Sequence, residues 1–352
     1  MNTIRIKSED LDFSLSGFEV PQHQRPYEEH RLLVYHTSQD IIEHIMFQNI
    51  SKVLNKNDLL VFNNSKVIPV SIFLDSETFI LFMEPFKNML KDVKVICPFK
   101  PKVGECFEVN GARIELISHE PGWDVYHANI VSVNKEYVDL NQFLNQNAKM
   151  PMPIYLKRIP TTEDVNAFQN FYAEIPGSIA CPVAGLHFNK EIVEELKDIG
   201  IRTATVTLHV GYGTFRSFKT VYVDEHKMDS EYYQVGKSVF EEIKRAKDNN
   251  GRIIGVGTTS VRVLESLAAR NDFEDLLSSP VDINDQTQIF IYPSYQFKII
   301  DGLITNFQYP RLPVLAMAAA LTGLNNLRRV YDESIKEKYK YYSFGDAMLL
   351  FK

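Results

Sequence analysis

The hydrophobic positions of this chain change rhythm twice. From about residue 71 to 149 they alternate with polar ones, as in CFEVNGARIELI and WDVYHANIVSV. Asn110-Gly111 stands between two alternating runs, the strongest short-range signal for a tight hairpin. This stretch is bounded by NDLLVFNNSKVIPV and by the proline-rich KMPMPIYLKR. The pattern predicts a small β-rich domain, 71–149, inserted into a larger domain made of 1–70 and 150–352.

In the larger part, strand-like and helix-like runs alternate. NKEIVEELKDIG offers Asn189 as a cap, an apolar stripe at Ile192, Val193, Leu196 and Ile199, and Gly200 as a stop. His187 therefore lies just before a helix start. TATVTLHVG puts Ala204, Val206, Leu208 and Val210 on one face of a strand, with Thr205, Thr207 and His209 on the other. SVFEEIKRAKDNNG opens with Ser238 and Glu241 in capping-box spacing and feeds through Gly251 into the buried strand RIIGVG. TTSVRVLESLAA then begins a helix whose first N–H groups, at Thr258 to Ser260, suit a carboxylate, phosphate or ribose. Gly255-Val256-Gly257 falls short of both a dinucleotide fingerprint and a P-loop. QIFIYPSYQFKIIDGLITNF predicts a strand, a turn and a second hairpin at Asp301-Gly302, and LPVLAMAAALTGL a core helix.

Composition narrows the classes. At 352 residues and 45% hydrophobic content the chain can bury a sizeable core. A net charge of −7 gives no whole-molecule attraction to nucleic acid, so any RNA contact needs a local basic surface. NNLRRVYDESIKEKYKYYSF supplies one candidate, with Arg328, Arg329, Lys336, Lys338 and Lys340. The amino terminus lacks the apolar core of a secretion signal, and the longest apolar run is too short for a bilayer, so a cytoplasmic protein without membrane contact is expected. Cys97, Cys106 and Cys181 form no C-x-x-C pair and point to reduced thiols rather than disulfides or a zinc site.

The residues that could carry chemistry are His187, His209, His226, Glu231, Arg262, Glu265 and Asp346. A lone histidine is by default a structural hydrogen-bonding group. No two of these share a helix face at metal-ligand spacing, so no metal is expected. Glu265 is equally readable as solvated surface or as an i, i+3 partner of Arg262, and Asp346 as a cap. Arg31 is either an anion clamp or a solvated edge residue. Ser260 follows GTT and lacks the G-x-S-x-G elbow of a nucleophile.

Taken together, NNSKVIP, MPMPIYLKR, FYAEIPGSIACPVAGLHF, VTLHVGYGTF, HKMDSEYY, GVGTTSVRVLES, IFIYPSYQFKIIDGLITNF and YYSFGDAML resemble, in order, the S-adenosylmethionine:tRNA ribosyltransferase-isomerases of queuosine biosynthesis. The resemblance implies an α/β (mixed α+β) large domain with a small inserted β-barrel domain. It also implies transfer and isomerisation of the ribosyl part of S-adenosylmethionine onto the aminomethyl group of 7-aminomethyl-7-deazaguanine in tRNA. Adenine and methionine leave, and epoxyqueuosine remains. S-adenosylmethionine is then a co-substrate, with no separate cofactor and no metal, and the tRNA anticodon region is the partner.

A carbon beside a sulfonium is acidified, so a base of matched pKa can take its proton, and His187, His209 and Glu231 are candidates, with Asp346 beside them in the catalytic set. The methionine carboxylate needs donors, which Thr258, Thr259 and Arg262 would supply. His226, Gly211, Gly213, Thr214, Glu265 and Asn306 complete the expected substrate-binding set. The chain departs from the family pattern at Val183, Asp229, Gln308 and Arg311, where the family reads PTAGLHF, MHSE and NFHLPKSTL, and its amino-terminal region is shortened. A paralogue acting on a different amine or a small deazapurine, and a catalytically silent RNA-binding relative, are the competing expectations.

Overall fold

The structure, a computed structural model, describes residues 5–12, 18–75, 77–84, 88–211, 213 and 217–352. The chain divides into two compact units, one of Met1–Ser65, Asn170–Ile175 and Pro182–Lys352, the other of Lys66–Gln169 and Pro176–Cys181.

The first unit is built on a nine-stranded mixed sheet. Its order is Ile283–Thr287, Glu231–Val235, Arg202–Leu208, Leu59–Asn63, Ile253–Val256, Gly302–Asn306, Ala347–Phe351, Arg31–His36 and Ile41–Met46. The four strands from Arg202–Leu208 to Gly302–Asn306 run parallel. Ala347–Phe351 is antiparallel to the last of them, pairing Asn306 with Ala347, and Arg31–His36 runs parallel to Ala347–Phe351. Glu231–Val235 is antiparallel to Arg202–Leu208. One edge of the sheet therefore carries the carboxyl ends of the four parallel strands and the starts of Glu231–Val235, Ala347–Phe351 and Arg31–His36. In open α/β sheets this is the edge where ligands bind.

The central strands are buried along their whole length because both faces of the sheet are covered. On one face Leu60, Phe62, Ile254, Val256, Ile304 and Leu349 pack with Phe188, Ile192, Val193 and Leu196. The helix carrying the last three, Lys190–Asp198, is capped as expected, with Asn189 Oδ1 accepting from the Ile192 N–H at 2.8 Å and Gly200 at φ +89°. Ile199 does not join the apolar stripe: it is the cap residue beyond the last turn and is 47% exposed. The core helix Pro313–Thr322 is buried on nearly every side.

Three local expectations are corrected. The helix Lys237–Asp248 starts before Ser238, with Gly236 at its N-cap, and its first N–H donates to Asp282 Oδ1 at 2.8 Å, so a distant carboxylate replaces the capping box. The strand expected to reach Val210 ends at Leu208, and its last three residues are all buried instead of alternating. Thr207 is accommodated there by donating to Asn64 Oδ1 at 2.6 Å. Asp301-Gly302 is not a hairpin turn: Asp301 Oδ2 accepts from the Ile253 N–H, and Gly302–Asn306 lies between Ile253–Val256 and Ala347–Phe351.

The second unit holds a six-stranded antiparallel sheet in the order Ser71–Phe73, Phe79–Phe82, Val93–Ile96, Val125–Ser132, Ala112–His119 and Cys106–Val109. The Asn110-Gly111 hairpin is present, with both residues at positive φ (44° and 83°) and Val109 paired to Ala112. Ile80, Phe82, Val95, Ile114, Leu116 and Ala128 are buried. Cys97, Cys106 and Cys181 are free thiols. Among the described residues no helix is long and apolar enough to cross a membrane.

Candidate active site

The edge defined by the sheet gathers two sets of side chains. The first lies at the ends of Arg202–Leu208 and Ile253–Val256. Gly257, at φ +85°, turns the chain out of its strand into the helix Thr258–Ala268, a conformation that favours glycine. Asn63 fixes this turn to the neighbouring strands: its Nδ2 donates to Leu208 O (3.0 Å) and Thr259 Oγ1 (3.2 Å), and its Oδ1 accepts from the Ser65 and Leu208 N–H groups. One turn into the helix, Arg262 forms a buried ion pair with Glu231, the first residue of the adjacent antiparallel strand. Glu231 also accepts the Gly211 N–H at 2.7 Å. Arg262 Nε donates to Ile289 O, while Nη2 has no hydrogen-bond partner among the described residues. Burial pushes the guanidinium down to about 10, opposed by the charge of Asp229, so it stays charged at neutral pH.

Beside Arg262 is a narrow, partly open cleft lined among others by Met228, Thr258, Phe290, Ile291 and Met317. His226 meets its wall, with its ring 5.2 Å from that of Phe290. His209 lies just past the strand end, and its backbone N–H donates to Tyr232 O next to Glu231. Burial lowers the His209 pKa, which keeps the ring neutral. Asp229 stands against Gly213, where a Cβ would come within 2.6 Å of its carboxylate.

The second set lies at the end of Gly302–Asn306. His187, in the turn Val183–His187, is buried, stacked on Phe47, and joined Nδ1 to Nδ1 with His30 at 3.1 Å. Burial, then the nearby His30 and Arg25, holds His187 well below the usual histidine range, while the side chain of Asn306 opposes. Burial and Arg25 likewise push His30 down to about 4. Asn306 Nδ2 donates to Tyr342 O at 2.9 Å. The Ala184 methyl of the same turn lies 3.7 Å from where a Cβ on Gly257 would stand, which brings the His187 turn to the first set.

Two acids of the expected set are engaged in holding backbone. Asp346 accepts from Arg25 Nη2 (2.6 Å) and from the Arg31 and Lys340 N–H groups. Glu265 is fully buried and accepts from Tyr295 OH and from the Lys298, Ile299 and Ile300 N–H groups, away from Arg262. Arg31 donates to Glu337 O and lies over the Tyr339 ring, with its side chain partly exposed. Thr214 lies outside the described residues. His30, Arg25 and Asn63 were absent from the sequence-based candidates, although Asn63 opens the NNSKVIP motif. Among the described residues no three His, Cys, Asp or Glu side chains converge to hold a metal ion.

A polar, partly unsatisfied cluster at the carboxyl edge of the parallel strands of a covered mixed sheet is the arrangement of an α/β enzyme. The chain belongs to the family described as queuosine biosynthesis protein, whose sequence profile matches residues 8–350. It is 37% identical over 353 residues to the S-adenosylmethionine:tRNA ribosyltransferase-isomerase of Thermodesulfovibrio yellowstonii, covering 98% of this chain and 100% of that protein. The enzyme of the same name from Thermoanaerobacter sp. is 37% identical over 95% of this chain and 98% of its own length. A crystal structure of S-adenosylmethionine tRNA ribosyltransferase from Thermotoga maritima matches with a TM-score of 0.54 and 26% identity, over 97% of this chain and 99% of that one.

Proposed function

We propose that this chain is an S-adenosylmethionine:tRNA ribosyltransferase-isomerase that moves the ribosyl group of S-adenosylmethionine onto the aminomethyl nitrogen of 7-aminomethyl-7-deazaguanine in tRNA. Epoxyqueuosine forms, and adenine and methionine leave. The observation that carries the reading is the buried Glu231–Arg262 pair beside an apolar cleft, with Arg262 Nη2 lacking a hydrogen-bond partner among the described residues. A buried guanidinium with an unused N–H is a ready donor for the methionine carboxylate, assisted by the first N–H groups of the helix at Thr258 and Thr259. Met228, Phe290 and Met317 suit the flat, weakly polar adenine ring.

Glu231 is the group assigned to the proton beside the sulfonium, with neutral His209 next to it at the strand end. His187 and Asn306 face the reaction from the other strand ends, while Asp346 and Glu265 hold the loops that shape the site. The segment 71–149 is taken as the inserted β-barrel-like domain of the family, and the reaction as cytoplasmic.

One departure favours the second reading, a different amine or a small deazapurine as acceptor: Asp229 stands within electrostatic reach of Arg262. Incubation with S-adenosylmethionine separates the two. Adenine release that requires tRNA carrying the aminomethyl base supports the first reading. Release with the free base alone supports the second, and no release with either rejects both.

A further inference from the structure

The loop that leaves Gly302–Asn306 runs from one set of site residues to the other. At its start Asn306 Nδ2 donates to Tyr342 O at 2.9 Å, and the Tyr342 N–H donates to Phe307 O at 3.0 Å, so the backbone of Tyr342 is fastened to this strand end twice. At its far end Arg311 O accepts the Phe218 N–H at 3.0 Å. The Phe218 ring in turn stands 5.1 Å from His226 and 6.0 Å from Phe290, at the cleft.

Between these two points Tyr309 lies flat on Tyr342, with ring centroids 3.8 Å apart and planes 11° from parallel. Tyr342 is 2% exposed and Tyr309 36%. Tyr342 covers one face of the Tyr309 ring, so what Tyr309 shows to solvent is the opposite face and the edge. A ring braced from behind in this way loses little rotational freedom when a second flat group stacks on it. Arg311, two residues on, is also exposed, and its guanidinium is 3.8 Å from the Asp12 carboxylate, beyond hydrogen-bond distance.

The occupant follows from the proposed reaction, on which this inference rests. To bring its aminomethyl nitrogen to the site, the acceptor base must leave the stack of its RNA loop, and the neighbouring base then loses a stacking partner. An aromatic side chain replaces that partner whatever the identity of the base, and a cation beside it meets the adjoining phosphate. The adenine of S-adenosylmethionine has its own flat surroundings at Met228, Phe290 and Met317. We propose that the outer face of Tyr309 is a stacking platform for an unpaired tRNA base next to the one being modified, with Arg311 on the adjoining phosphate.

The test uses the full-length protein and an anticodon stem-loop RNA with 2-aminopurine, whose fluorescence is quenched by stacking, on one side or the other of the target base. Bound to the wild type or to Tyr309→Phe, one of the two probes should be quenched. The same probe should be brighter on Tyr309→Leu, which keeps an apolar contact with Tyr342 but offers no flat face. With whole tRNA, Tyr309→Leu should raise KM for tRNA roughly 5- to 100-fold, while KM for S-adenosylmethionine stays within about two-fold and Tyr309→Phe behaves as the wild type. Equal brightness on the wild type and Tyr309→Leu at both positions, no binding of the stem-loop, or a loss that Tyr309→Phe shares overturns the proposal. So does a Tyr309→Leu enzyme with wild-type KM for tRNA, or one in which KM rises for S-adenosylmethionine instead, which would give the platform to adenine. Absence of adenine release in the wild type overturns the functional reading, and the stem-loop fluorescence still decides the role of Tyr309.

Discussion

Two buried arginine–carboxylate pairs stand at the same edge of the sheet and differ in one respect. In Arg25–Asp346 every guanidinium nitrogen is engaged, with Phe344 O, Glu29 O, Gly345 O and Asp346, and the carboxylate accepts two backbone N–H groups as well. In Arg262–Glu231 the guanidinium keeps Nη2 without a hydrogen-bond partner among the described residues and borders a cleft. A buried polar group left unsatisfied costs free energy unless something later satisfies it. The saturated pair is thus framework, fastening the starts of Arg31–His36 and Ala347–Phe351, and under the proposed function the incomplete pair is where S-adenosylmethionine would contribute the missing bond. Residue type does not separate the two, but the count of satisfied donors does.

The largest effect should separate the pairs by what each loses. Glu231→Gln is expected to lower kcat for adenine release by about 10² to 10⁴. Asp346→Asn is expected to lower folding stability by about 3–5 kcal/mol, because Arg25 is left buried without its counter-charge, with kcat per folded molecule little changed. Denaturant titration and single-turnover adenine release on the two variants check this. A stable Asp346→Asn protein that has lost its chemistry would reverse the assignment.

A substitution that keeps the charge sharpens the same contrast. Arg262→Lys removes the planar fork, and a lost charged hydrogen bond of about 1.5–3 kcal/mol raises KM for S-adenosylmethionine about 10- to 100-fold. Arg25→Lys should leave that KM in place and show itself in thermal stability. Equal KM changes in both variants would mean that the open Nη2 is not the distinguishing feature.

The histidines next to the framework pair give a pH signature of intermediate size. The folded-state pKa of His30 is about 4, below its usual value near 6.5, so between these values the unfolded chain binds a proton that the folded chain refuses. Its contribution is complete above pH 6.5 and is lost as pH falls toward 4, at up to about 1.4 kcal/mol per pH unit. His187, lowered in the same direction, adds to the slope. The urea midpoint of the wild type should fall more steeply over this window than that of His30→Leu, and identical slopes would place His30 in a solvated setting.

The hairpin at Asn110-Gly111, the capped helix at 190–198 and the strand–glycine–helix unit at 253–268 were legible because each is specified by contiguous residues. What was not legible depends on partners far along the chain. Asp282 caps a helix 45 residues earlier. Asp346 is engaged by Arg25, from 321 residues upstream. Glu265 reads as a helix-surface acid until the loop at 295–300 folds over it. His30 lies in an unremarkable stretch, EEHRLLV, and meets His187, 157 residues away, only in the folded chain.

The smallest expected effect concerns tRNA. The basic run near the carboxyl end looks like a phosphate-binding surface, yet most of its cations are already matched: Arg329 with Asp40 at 2.5 Å, Lys336 with Glu333 at 3.2 Å and Lys340 with Glu19 at 3.1 Å. Arg328 donates to Asp10 O at 2.6 Å. Exposed ion pairs of this kind contribute little, so the double variant Arg328→Ala, Arg329→Ala should leave folding stability nearly unchanged. If both arginines bound phosphates, the slope of log KM for tRNA against log salt would fall by nearly 2, since each phosphate neutralised on a duplex contributes about 0.9. Because both are engaged with the protein's own acceptors, the slope is expected to change by less than about 1 unit. A change near 2 would mean that tRNA displaces Asp10 and Asp40, and would make this helix part of the substrate surface together with the Arg262 cleft.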